Sequence, residues 1–468
     1  MTAPRAAERR FLVLTALRWL PVGLVIPVTV LLPLDRGLSL SEVGLAVSLQ
    51  GFVVLALELP TGGMADSLGR RPVLLLASAV GLVATSLYLV ADSLALFAVV
   101  FALQGAFRAL DSGPLEAWYV DAALAADPRA RIDKGLSASG TVLGVAIASG
   151  AAAGGALVAW DPLPWLDPIA VPVLASLLMQ VAGLGCLVAL MAEPGRTAGV
   201  SPWRASAGTP RAVADGIGLL RRDRVLLALV AVELFWGFGM VAFESLTPVR
   251  LAELVGGADA GAVVAGPASS AAWLASAAGA ACVPWLGRRL GMARAAAAMR
   301  VLQGVAVLGI GLLGGVVGVL TAYLACYVVH GAAGPAHMTL LHRRVSAERR
   351  ATVISLNSMV AQPAGAVGAI VLTAVADGAS VSVAIAVGGA VLALAAPLYL
   401  PAWRQERGHP AALALGGEDQ GRPPEAAATG DAAATGDAPS PAGAGEEPRA
   451  AAQAPAVRTA GASEAPRA

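Results

Sequence analysis

The chain has 468 residues, of which 57% are hydrophobic and 13% charged, with a net charge of +1 and a mean hydropathy of +0.73. Soluble domains carry about 25% charged residues, so this balance excludes an ordinary water-soluble domain and points to a polytopic protein whose main surroundings are a lipid bilayer. No basic stripe with interleaved aromatics is present, which argues against a nucleic-acid partner.

Apolar runs long enough to cross roughly 30 Å of hydrocarbon recur along the chain. They fall at about 11–33, 42–64, 73–91, 95–121, 136–160, 169–191, 225–247, 261–285, 294–314, 316–341, 351–375 and 380–402, twelve in all. The first run follows Arg5, Arg9 and Arg10 like a signal sequence, but it is long and lacks a small-residue cleavage site, so it reads as a retained helix. The gaps after even-numbered runs hold arginines, such as Arg70 and Arg71, Arg129 and Arg131, Arg288 and Arg289, and Arg343 and Arg344. Gaps after odd-numbered runs hold Asp35, Asp92, Asp161, Asp167, Asp259 and Asp377. This alternation places the arginines and both termini in the cytoplasm and the protein in the cell membrane.

The polar, basic segment 192–224 divides an N-terminal half, 1–191, from a C-terminal half, 225–402. Residues 403–468, rich in Ala, Pro, Gly and Glu, have no apolar face to bury and read as a disordered cytoplasmic tail. Landmarks recur between the halves. Gly69-Arg70-Arg71 matches Gly287-Arg288-Arg289 at an offset of 287 − 69 = 218, and Gly113-Pro114 matches Gly334-Pro335 at 334 − 113 = 221. The expected fold is therefore an all-α membrane protein of twelve transmembrane helices in two parallel six-helix repeats.

Charges inside the runs are costly and need a partner or a wet cavity. Arg18 lies in the first run, Glu58 in the second, Arg108, Asp111 and Glu116 in the fourth, and Glu233 and Glu244 in the seventh. Arg108 and Asp111, three apart, can pair on one helix face, with Glu116 on roughly the same side and Pro114 bending the helix. Two readings stand for this group: an internal ion pair that holds helices together, or a proton site on Asp111 and Glu116 tuned by Arg108. Glu233 precedes Phe235, Trp236 and Phe238, a carboxylate-aromatic mixture that suits a cationic amphipathic solute, or that simply packs between helices. Glu244 is expected near the outer interface, Arg300 to snorkel to the cytoplasmic end, and His330 and His337 to be satisfied packing residues. Cys186, Cys282 and Cys326 lack metal-ligand spacing, and no metal or cofactor is expected.

Gly62-Gly63-Met64-Ala65-Asp66-Ser67-Leu68-Gly69-Arg70-Arg71 joins the second and third runs. Through Gly62, Asp66, Gly69, Arg70 and Arg71 it resembles the helix 2–3 loop of the major facilitator superfamily, and the resemblance covers about residues 9–402. A basic residue is usual where this chain has Ser67, and the fifth helix has Gly140, Gly144, Gly150, Gly154 and Gly155 without the proline of the antiporter motif. The resemblance implies that the loop closes the cytoplasmic side in the outward-open state, with Asp66 latching the eleventh helix. It also implies a proton-coupled exporter of small amphipathic molecules, similar to actinobacterial drug or metabolite efflux members and working as a monomer. A metabolite importer and a non-transporting membrane sensor are the alternatives. A membrane enzyme would need a catalytic cluster in the loops, and none is visible.

Overall fold

The computed structural model describes residues 3–193 and 209–408, and every regular element among them is helical. The helices that cross the membrane are α1 (Ala3–Val25, extended by Ile26–Val28 and Leu31–Asp35), α2 (Leu40–Leu68), α3 (Arg70–Val90), α4 (Leu94–Asp111, then Pro114–Ala126), α5 (Ile132–Trp160) and α6 (Val171–Leu190). They continue with α7 (Arg224–Glu244, then Leu246–Val255), α8 (Ala258–Ala281), α9 (Met292–Leu312), α10 (Gly315–Arg344), α11 (Ala347–Gly378) and α12 (Val381–Leu394). Eleven spans are apolar enough to be recognised by hydropathy, and α8 is the twelfth, a 24-residue helix of mostly Ala, Gly and Ser.

Local chemistry sets the boundaries. Ser39 and Glu42 form a capping box that starts α2 before its apolar run begins. Gly69 ends α2 with φ of +96°, a left-handed turn that puts Arg70 and Arg71 in the first turn of α3. The fourth span is interrupted rather than bent: Gly113 sits at φ +92° and Pro114 opens a new segment as its first helical residue. Within the central segment, residues 194–208 lie outside the described residues, but Thr209–Arg222 is a helix where the sequence suggests only polar loop. The expected tail begins as a helix, Leu400–Gly408; its remainder, 409–468, lies outside the described residues.

The packing follows the repeat. Helix α1 packs on α5 and α6 as α7 does on α11 and α12; α4 packs on α2 and α3 as α10 does on α8 and α9. The halves meet through α5 with α8 and through α2 with α11, contacts that the repeat converts into each other. At the α5–α8 crossing, a Cβ on Gly266 would lie 2.7 Å from the Ala151 carbonyl oxygen and 2.7 Å from Gly155 Cα, so only hydrogen fits.

The apolar core shows which end is closed. At the acidic face a single cluster unites both halves, including Val28, Leu31, Phe101 and Ile169 with Phe243, Leu246, Ala265 and Leu372. At the arginine-rich face the core divides into clusters that each stay within one half, around Phe11, Leu74 and Trp118, around Val73, Ala77 and Leu110, and around Leu229, Leu341 and Tyr399. Gly140 and Gly144 of α5 have no neighbour within 4 Å, because α5 and α8 diverge there. The protein is captured open toward its arginine-rich face.

Candidate functional site

A cavity of about 630 Å³ lies between the halves, walled by α1, α2, α4, α7, α9, α10 and α11. Its C-terminal wall is a stripe on α7, Glu233, Trp236, Met240 and Glu244, whose spacing of three, four and four residues keeps all four on one face. Eleven residues of rise separate the two carboxylates by about 16 Å along the helix. From the N-terminal half, Arg108 of α4 projects into the same cavity, where the charges of Glu244 and Glu58 act on it. Glu244 thus belongs to the cavity wall rather than to the outer interface.

Behind the stripe is a buried polar network. Glu233 Oε1 is 3.2 Å from His337 Nε2, and both side chains are almost fully enclosed. Asn357 Oδ1 also approaches Nε2, at 3.3 Å, and the Tyr399 hydroxyl lies 2.9 Å from Nδ1. Nε2 faces two oxygens, so it carries the imidazole proton and the Tyr399 hydroxyl donates to Nδ1. Arg300, only 2% exposed, donates to Gln303 Oε1 at 2.9 Å; the Gln303 amide nitrogen meets His330 Nδ1 at 3.2 Å, and the His330 ring stacks on Trp236. Arg300 does not snorkel. Helix α9 starts at Met292, which leaves Arg300 about 12 Å from the helix end and inside the bundle. Both histidines line the cavity.

The expected pairing within α4 does not form. Asp111 Oδ2 instead meets Arg18 Nε of α1 at 2.5 Å, and the Arg18 guanidinium lies between Trp19 and Phe107, 4.8 and 4.4 Å from their ring centres. This pair borders a separate cavity of about 80 Å³ inside the N-terminal half, with Ser78 and Gln180. Arg108 and Asp111 share one uninterrupted segment, but Arg108 lines the central cavity while Asp111 turns to Arg18; beyond them the break at Gly113 resets the helical phase, and Glu116 stands exposed in the first turn of the second segment. Glu58 lies between the halves, where its Oε1 accepts from the Ser358 hydroxyl of α11 at 3.3 Å.

In the α2–α3 loop, Arg70 bridges to Asp121 and donates to the Ala117 carbonyl at 2.8 Å, and Arg71 donates to the Val188 carbonyl at 2.9 Å. Both backbone N–H groups donate to Glu193, at 3.1 and 3.0 Å, so this carboxylate caps α3. Gly62 has open space around it, and the side chain of Asp66 lies outside the described residues. The second half repeats the device: Gly291 at φ +80° precedes α9, and Glu406 accepts from Ala293 N–H at 3.2 Å. The structural counterpart of Gly69 is therefore Gly291, an offset of 291 − 69 = 222, not the Gly287 of the matching triplet. Glu193, Glu406, Asn357, Gln303 and Tyr399 escape sequence reasoning, although an acid just past the sixth and twelfth spans is a signal for the first two.

Among the described residues no group of three His, Cys, Asp or Glu is placed to hold a metal ion. No protein of curated function matches the sequence. The fold is shared with a crystal structure of a mutant of the nucleoside transporter NupG, at a TM-score of 0.71 and 10% identity over 84% of this chain and 99% of that one. It is shared too with a bacterial homologue of the human lysosomal transporter Spinster in an inward-facing, unoccupied conformation, at a TM-score of 0.65 and 15% identity over 86% and 97% of the two chains. Among the described residues twelve spanning helices in two repeats surround a central cavity, residues 11–369 match the Major Facilitator Superfamily, and the chain belongs to that family.

Proposed function

We propose that this protein is a secondary active transporter that exports small amphipathic molecules in exchange for protons, by rocking its two halves about the central cavity. The observation that carries the reading is the α7 stripe, in which carboxylates flank a tryptophan and a methionine on the wall of the interhalf cavity. Such a surface offers an amphipathic solute a π face, a polarisable contact and a countercharge. The arginine-rich face is read as cytoplasmic, which makes the conformation inward-open, with the protein in the cell membrane, both termini in the cytoplasm and the monomer as the working unit. Residues 1–191 and 225–402 are read as the moving halves, 192–224 as their tether and 403–468 as an appendage. Asp66 is read as the latch that holds the cytoplasmic side shut in the opposite state.

The test is accumulation of ethidium, as an amphipathic cation, in everted membrane vesicles with an imposed pH gradient, acid inside. Export predicts uptake that collapses when nigericin dissipates the gradient. Uptake that ignores the gradient, or no uptake of ethidium or of uncharged and zwitterionic amphipathic dyes, defeats the reading.

A further inference from the structure

Within the spans, each repeat carries a charged bridge between its first and fourth helices, and the two bridges differ in chemistry. In the N-terminal half Arg18 of α1 meets Asp111 of α4; in the C-terminal half Glu233 of α7 meets His337 of α10. Arginine does not release its proton in proteins, so only one partner of the first bridge is exchangeable. It borders its own small cavity, away from the central one. The second bridge joins a carboxyl to an imidazole, both exchangeable, and both side chains line the central cavity.

We propose that the Glu233–His337 pair is the site that carries the proton through the transport cycle. The inference rests on the proton-coupled reading above and moves the proton from α4, where Asp111 and Glu116 suggested it, to the C-terminal half. One proton enters from cavity water, the charge of the pair changes from −1 to 0, and no other bond is made or broken. Tyr399 allows both states to keep their hydrogen bonds. Its hydroxyl donates to Nδ1 in both, while the loaded proton rests on the Glu233 carboxyl, whose other oxygen still accepts from Nε2. Asn357 holds the imidazole edge-on to the carboxylate in either state.

The groups that face the pair fit this role. Arg300 of α9 supplies a fixed positive charge beside it, which offsets the carboxylate once the proton has left. His330 lies two turns away on α10, tied to Gln303, while Arg108 and Glu244 line the same cavity. The pair thus alternates between neutral and negative beside a constant cation, so a cationic or polar solute meets a different cavity before and after proton loading.

The test is infrared difference spectroscopy of the full chain in liposomes, titrated from acid to alkaline pH. Subtracting Glu233→Gln from the native protein should leave one carboxyl C=O band that titrates. In His337→Gln that band should persist with its midpoint moved, and Asp111→Asn should retain it with its native midpoint. A double difference with no protonated carboxyl at any pH, or a midpoint unmoved by His337→Gln, overturns the proposal. Thermal unfolding shows whether each variant is folded, and Asn357→Ala, which frees the imidazole edge without removing either titrating group, should also move the midpoint. The proposal and the transport reading fail separately. An intact band without gradient-driven dye movement defeats export alone, and gradient-driven movement without the band defeats this assignment alone.

Discussion

Replacing Gly266 by alanine places one methyl group in the α5–α8 crossing, and the structure sets its consequence. The new Cβ would lie 2.7 Å from Ala151 O, 2.7 Å from Gly155 Cα and 2.8 Å from Gly155 N, all backbone atoms that no rotamer change can move. Ordinary contact begins near 3.4 Å, so the helices must part by about 3.4 − 2.7 = 0.7 Å. Overpacking of this kind costs about 1–3 kcal/mol, of which the higher helix propensity of alanine returns at most about 1 kcal/mol. The crossing lies at the closed acidic face, so the penalty falls on the present conformation, and it is relieved when the halves part there. Because α8 is helical in both states, that return cancels between them, and a bias of about 1–3 kcal/mol shifts the equilibrium roughly 5–150-fold toward the opposite state. The assay is the rate at which a membrane-impermeant maleimide labels Met338→Cys, on the cavity wall, from the arginine-rich face, in a background without the exposed Cys282 and the other two native cysteines. Gly266→Ala should slow labelling several-fold relative to Gly266. An unchanged rate in a folded protein would refute the claim that this crossing holds the acidic face shut.

The polar contacts give three further expectations. Arg18→Met should destabilise the detergent-solubilised protein by about 3 kcal/mol, because it leaves Asp111 uncompensated, and adding Asp111→Leu should recover much of the loss in thermal unfolding; an additive double variant would show that the two do not act as a pair. Glu193→Ala and Glu406→Ala should each lower the unfolding temperature by a similar amount, equivalent to about 1–2 kcal/mol, and should add in the double variant, since each caps a different helix. Asp223 caps α7 and bridges to Arg344; burial raises its pKa, but the Arg344 contact and the Leu226 and Val225 N–H groups outweigh this and hold it below the ordinary carboxylate value. A lowered folded-state value gives stability that is fully present above the unfolded carboxylate pKa and lost as pH falls through the folded one, so Asp223→Asn should flatten the acid limb of a plot of unfolding temperature against pH and leave the difference constant above it.

What the sequence revealed follows from where each signal is stored. Span number and sidedness depend on composition over twenty-residue windows and on loop arginines, both local, and α8 is readable because its small residues still form an uncharged run. Register between the repeats is harder. The Gly-Arg-Arg triplets are identical in letters, yet the backbone equates Gly69 with Gly291, because what the turn needs is a residue at positive φ before a helix. Pairings made across the bundle were hidden for a different reason. Asp111 finds Arg18 across 93 positions and Glu193 reaches Arg70 across 123, whereas helical spacing can suggest only neighbours such as Arg108. The site was half legible: the acids and arginines inside spans were visible as anomalies, but their partners depended on which helices pack together and on the phase break at Gly113.

The same physical logic makes α5 a reporter of the state not captured. Gly140, Gly144, Ala151 and Gly155 fall close to one stripe of the helix; its acidic end meets α8 at backbone contact, and its arginine-rich end meets nothing within 4 Å. A glycine that touches nothing carries a helix-propensity cost of about 1 kcal/mol without a packing return in this conformation. The return comes if α8 closes on that end when the halves rock, because the repeat geometry then needs a close crossing there as well. Gly144→Leu should accordingly leave the present conformation folded and somewhat stabilised, yet cost the closed arginine-rich face about 1–3 kcal/mol, roughly 5–150-fold in population. Maleimide labelling of Met338→Cys should then become faster, opposite in sign to Gly266→Ala, while gradient-driven dye movement falls. Native transport with native labelling in Gly144→Leu would mean that α5 and α8 never approach there, and that the halves move by something other than a rocking exchange of these crossings.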